Sequence, residues 1–80
     1  MKYRSNKEGK AQFVEEVLKP LILNIDDRAI DVTYVIENGL EWVSVSYKDP
    51  ERSFRANVTC DSIQALVYDV LHEYYITLGY

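Results

Sequence analysis

Apolar and polar residues alternate on both sides of Asn38-Gly39, and that alternation predicts a β-hairpin with a definite register. Asn-Gly suits the two central positions of a type I′ turn because both residues tolerate positive φ. With these two as the loop, Glu37 faces Leu40, and the pairs continue as Val35 with Trp42, Tyr34 with Val43, Thr33 with Ser44, Val32 with Val45 and Ile30 with Tyr47. Since side chains alternate across a strand, Ile30, Val32, Tyr34, Val43, Val45 and Tyr47 share an apolar side. Asp31, Thr33, Val35, Trp42, Ser44 and Ser46 share the other. Phe54, Ala56 and Val58 alternate with Arg55, Asn57 and Thr59 in a third run, reached through a connection holding the turn starter Asp49-Pro50. These runs predict a three-stranded antiparallel meander with one greasy face.

Helical spacing brackets the meander. Ser5 with Glu8 fits a capping box, followed by Phe13, Val14, Val17, Leu18 and Leu21 on one face. Pro20 lacks an N–H and its ring crowds the preceding turn, so the helix is expected to end near Lys19 or kink there. Leu21 to Ile25 then form a distorted last turn or a packed connector, and Asp26-Asp27 a loop. Towards the end of the chain Asp61, with Gln64 as capping-box partner, opens a second helix. Its stripe is Ile63, Leu66, Val67, Val70, Leu71, Tyr74 and Leu78, and Gly79 closes the pattern. Both apolar helix faces have only the greasy side of the sheet to cover. The expected fold is therefore α+β, a two-layer α-β-β-β-α arrangement with both helices on one face of the meander.

Eighty residues leave room for one small domain, 1–80, in which both helices are needed for a sufficient core. Residues 1–6 read as a basic, flexible arm. No apolar run approaches the ~18 residues of a membrane span, and no apolar stretch follows the charged start as in a secretory signal. One cysteine excludes an internal disulfide, which fits a reducing cytoplasm. Charge is segregated: residues 1–10 carry four basic and one acidic side chain, net +3, and the other seventy carry five basic and twelve acidic, net −7. An acidic body repels phosphate, so nucleic acid is a disfavoured partner except through the arm.

The element order resembles that of the double-stranded RNA-binding domain, which implies recognition of A-form RNA by shape and 2′-OH contacts. That family opens its second helix with a lysine cluster, whereas the corresponding turn here is Asp61-Ser62-Ile63-Gln64-Ala65, with no basic residue anywhere in the helix. The resemblance is one of topology, and no functional residue is carried over from it.

Catalytic chemistry finds little support. Cys60 precedes a helix, where the dipole would favour a thiolate, but the sequence fixes no neighbouring base, and a small buried residue is the simpler reading. His72 has no second ligand at helical spacing, which argues against a metal. Glu15-Glu16 point apart on a helix, and Asp26-Asp27 read as a solvated loop pair. The glycines at 9, 39 and 79 stand alone, so there is no phosphate loop. We therefore expect no enzyme, no cofactor, no metal and no small-molecule substrate.

Ten aromatics exceed the needs of a core this small. The register places Trp42 on the open sheet face beside Val35, Ser44 and Asn57, a setting suited to an interface anchor. Equally, Val35 with Trp42 is a cross-strand pair that stabilises the hairpin without a partner. Tyr3 could fold over that face. Tyr68, His72, Tyr75 and Ile76 form a second candidate surface on the outer flank of the last helix, with Tyr80 at the chain end, against the alternative that Tyr75 and Ile76 wrap over the first helix. The leading expectation is a small cytoplasmic interaction or regulatory domain that binds a protein partner or itself as a homodimer. The alternative is an acidic inhibitor or nucleic-acid mimic using Glu37, Glu41, Asp49 and Glu51.

Overall fold

A computed structural model describes residues 2–78, and among them the chain forms an α+β fold in the expected order. Helix α1 (Lys7–Phe13) passes through a π-helical segment (Val14–Leu18) into α2 (Lys19–Ile25). Strands β1 (Ala29–Glu37), β2 (Leu40–Tyr47) and β3 (Phe54–Asn57) follow, then α3 (Ile63–Leu78), with a 3₁₀ turn at Pro50–Arg52 between β2 and β3. The sheet is antiparallel in the order β1-β2-β3.

The hairpin turn has the expected geometry, with Asn38 at φ 54° and Gly39 at φ 76°. Pairing from Glu37↔Leu40 to Val32↔Val45 follows the sequence reading. Below that point it departs. A β-bulge pairs Ala29, not Ile30, with Tyr47, so Ala29 is buried and Ile30 is turned out, 53% exposed. An extra residue on one strand reverses the alternation locally. The Asp31 carboxylate accepts the Val32 N–H at 2.9 Å and meets Lys19 at 3.2 Å. In a two-residue hairpin the closing pair exchanges hydrogen bonds, so Val32 directs its N–H to the outer rim of β1, where Asp31 occupies it.

The amino-terminal helix does not stop at Pro20. The chain widens into the π turn just before it, and the Lys19 N–H bonds to the Val14 carbonyl, five residues back. A wider turn gives the ring room against the preceding carbonyls, and Pro20 then sits in the first turn of α2, where no N–H is required. Residues 21–25 are thus regular helix. The π turn also changes the phase of the buried face to Val14, Leu18 and Ile22, leaving Val17 and Leu21 exposed at 37% and 49%.

Caps lie one residue later than the sequence suggests. Asn6, not Ser5, accepts the Gly9 N–H, and Ser62, not Asp61, accepts the Ala65 N–H. Ser5 instead reaches across the fold to accept the Ile63 N–H at 3.1 Å, so the amino-terminal segment caps the last helix. Gly9 is required for this approach, because a Cβ there would lie 1.8 Å from the Arg4 carbonyl oxygen.

The core lies between the sheet and the two helices. Val14, Leu18 and Ile22 meet Val32, Val43, Val45, Tyr47, Ala56 and Val58, with Leu66 and Val70 from α3. Ile63 is also buried. Leu71, expected in this stripe, is 45% exposed because it lies beyond the edge of the inward arc set by Leu66, Val70 and Tyr74. The Leu78 side chain, Gly79 and Tyr80 lie outside what the structure describes. No described helix is long and apolar enough to cross a membrane.

Candidate interaction surfaces

Val35, Trp42, Ser44 and Asn57 share the open side of the sheet. Trp42 lies opposite Val35 on one side and Asn57 on the other. The Arg55 guanidinium sits 4.8 Å from the centre of the Trp42 ring and donates to Glu37 at 3.2 Å. Trp42 is consequently half-buried by its own fold, a cation–π contact joined to the cross-strand pair. Tyr3 does not join it. Its hydroxyl donates to Glu16 at 2.9 Å and its ring meets Phe13 edge-on at 5.5 Å, so the segment lies along α1. Lys2 and Arg4 there line a cleft of about 240 Å³ with Asn6, Glu8, Gly9 and Gln12.

The outer face of α3 is different. Tyr68, Leu71, Tyr75 and Ile76 are 66%, 45%, 59% and 56% exposed, and His72 is exposed and stacked on Tyr68 at 5.9 Å. Positions 68, 71, 72, 75 and 76 are the i, i+3, i+4, i+7 and i+8 places of one helical stripe. The acidic residues of this helix, Asp69 and Glu73, are half-buried, leaving the stripe without a carboxylate, and the helix has no Lys or Arg. Tyr75 and Ile76 are therefore surface residues, not part of the core. On the π-helical segment and α2, Val17, Leu21 and Ile25 make a second exposed row at i, i+4 and i+8.

Two buried polar clusters tie the ends of this helix layer together. Near the start of α3, Lys10 is 2% exposed and Glu41 6%, their charged atoms 2.5 Å apart. Lys10 also donates to the Val58 carbonyl at 3.2 Å, and the Tyr34 hydroxyl donates to Glu41. The Glu41 N–H donates to Thr59, and the Cys60 N–H points to the other Glu41 oxygen. Burial pushes the Glu41 carboxyl up, but Lys10 and Tyr34 outweigh it and hold it below the ordinary range. Burial, with Glu41 beside it, raises the Tyr34 hydroxyl. Asp61 is the exception in this cluster. Its Oδ2 is buried without a donor, and burial, then the neighbouring Asp69 carboxyl, push it up to about 6.

At the opposite end Asp26 is 5% exposed, not a solvated loop residue. It accepts from the Tyr74 hydroxyl at 2.7 Å and from the Arg28 backbone and side chain at 3.1 and 3.3 Å. Burial raises its carboxyl, and these donors more than reverse that, leaving it below the ordinary range. Tyr74 stacks on Phe54, which neighbours Tyr47.

Sequence reasoning missed the Lys10–Glu41 pair although its signals were present. Lys10 extends the buried 14, 18, 22 series by one turn, and Glu41 has the inward parity of Val43 and Val45. Of the carboxylates considered for an acidic decoy, Glu41 is thus internal, while Glu37 is bonded to Arg55 and Asp49 lies 3.8 Å from Arg52. Cys60 is exposed, not buried, at φ 64°. Among the described residues no group of three or more His, Cys, Asp or Glu side chains is placed to hold a metal. Comparison with protein-family models, with curated proteins and with solved structures finds no match to this chain, so its surfaces are the basis for reading its role.

Proposed function

We propose that this is a non-catalytic interaction domain whose recognition element is the outer face of α3, taken up by an apolar groove on a partner protein. The observation that carries this reading is the uncharged stripe Tyr68, Leu71, His72, Tyr75 and Ile76, exposed over more than two helical turns. A soluble domain seldom leaves such a patch without a use, and this spacing is the one by which a helix lies in a groove. The open sheet face supports the reading less, since Arg55 already covers Trp42.

Size argues for a concave partner over a second copy. At about 200 Å² for a whole tyrosine, Tyr68 and Tyr75 expose roughly 250 Å² between them. The rest of the stripe brings this to roughly 450 Å², about half the ~800 Å² that each side of a specific interface contributes. Two such helices laid flat together fall short. A concave groove that wraps the stripe also covers the flanks of the helix, which a flat contact leaves exposed.

A photo-crosslinking residue at position 75, and separately at Ser44, tests this in the native cell. The reading requires an adduct from position 75 to one identified protein, lost in Tyr68→Glu, and none from position 44. An adduct of two copies of this chain, or one formed only from position 44, overturns it.

A further inference from the structure

The junction where α1 begins beside the start of α3 has an unbalanced charge inventory. The groups that face one another there are Lys10 from α1, Tyr34 from β1, Glu41 from β2, Asp61 from the β3–α3 connection and Asp69 from α3, with the Cys60 N–H on Glu41. Among the described residues one ammonium therefore serves three carboxylates. Lys10 is already committed to Glu41 at 2.5 Å and to the Val58 carbonyl, and the buried Asp61 Oδ2 receives no donor from any of these elements. The Asp69 carboxyl neighbours Asp61, and a proton held between the two would supply the missing donor. With that proton present the buried oxygen has a donor and the excess negative charge is reduced. Without it, two carboxylates repel in a confined site.

The same junction holds the amino-terminal segment to the last helix. Ser5 accepts the Ile63 N–H, and Lys10 bridges from α1 to β2 and to the Val58 carbonyl just after β3. We propose that this junction is a proton-operated latch, in which a proton shared by Asp61 and Asp69 closes the amino-terminal segment on the start of α3, and loss of the proton loosens both. The latch uses none of the stripe residues: Asp69 is half-buried, whereas Tyr68, Leu71, His72, Tyr75 and Ile76 are exposed.

The sign follows from linkage. A carboxyl raised to about 6 in the folded protein favours folding below the ordinary aspartate range and loses that contribution as pH rises towards 6. Thermal unfolding of the whole chain, measured between about pH 4.5 and 7, should show the wild-type midpoint falling by roughly 5–10 °C. Asp61→Asn should abolish the fall, and Asp69→Asn should reduce it. The protection of the Ile63 amide against hydrogen exchange, corrected for its intrinsic rate, should decline over the same range while that of the Val45 amide holds. A flat wild-type midpoint, an equal fall in Asp61→Asn, or equal loss of protection at both amides overturns the proposal. Should Asp61→Asn fail to fold, carboxyl-carbon resonances of the wild type decide it: a titration near 6 for Asp61 supports the latch, and one in the ordinary aspartate range rejects it.

Discussion

The helix layer is fastened at both ends by buried carboxylates, and the two fastenings are built on opposite principles. At the carboxyl end of α2 a single carboxylate, Asp26, receives three donors from Tyr74 and Arg28. At the start of α3, among the described residues, three carboxylates share one ammonium. Ionisation is favoured at Asp26, and at Glu41 beside Lys10, but opposed at Asp61. Asp26 and Asp61, each in a cluster joining a helix to its neighbour, should therefore answer pH in opposite directions. Burial opposes ionisation at both sites, and the donors present at Asp26 but lacking at Asp61 Oδ2 set the two apart.

The largest expected break in this comparison is Lys10→Met. Removing this ammonium leaves Glu41 buried beside two further acids, which should cost about 3–5 kcal/mol in urea unfolding at neutral pH. The double variant Lys10→Met/Glu41→Leu should recover much of that loss, because an apolar pair requires no charge compensation.

Next in size is the pH response itself. Asp61→Asn should raise stability by about 1–2 kcal/mol at neutral pH, read from chemical denaturation, because it removes a carboxylate that ionises at a cost in the folded state. Asp26→Asn should act in the other sense. A carboxyl held below its ordinary range contributes stability above about pH 4, lost as pH falls through the folded value, so the variant should be less stable than wild type at neutral pH and lose less on acidification.

Tyr74→Phe keeps the stack on Phe54 and removes one donor to a buried charge. A loss of about 1–2 kcal/mol is expected in the same denaturation measurement, with a steeper part at neutral pH than in acid. Ser5→Ala is the gentlest change. It frees one N–H at the start of α3 and should cost about 1 kcal/mol or less, together with faster exchange of the Ile63 amide.

Much of the fold was legible because alternation and turn chemistry agree around Asn38-Gly39. That register correctly placed Val35, Trp42, Ser44 and Asn57 on the open side. It failed at Ile30, where a bulge inserts a residue that alternation alone does not announce. Pro20 misled in a similar way: proline forbids an ordinary turn, but a π turn ahead of it preserves the helix, and the phase of the buried stripe shifts with it. The capping signals were real but ambiguous, since Ser5-Asn6 and Asp61-Ser62 each offer two adjacent capping side chains. The polar clusters were harder to see because residue type was weighed ahead of position. Lys10 and Glu41 stand at positions their periodicity assigns to the interior, and a charge at such a position is itself the signal of a buried partner.

The Asp31 side chain, folded back on the Val32 N–H, bears on how the molecule keeps to itself. β1 is a nine-residue strand with an open outer margin, the kind of margin along which another chain adds as a further strand. One carboxylate occupies a donor on that margin and brings Lys19 over it, so an incoming backbone meets a filled hydrogen bond and two charges. A substitution there that leaves the core intact would remove a barrier to strand-by-strand growth, and its effect would be found in the precipitate rather than in the unfolding curve.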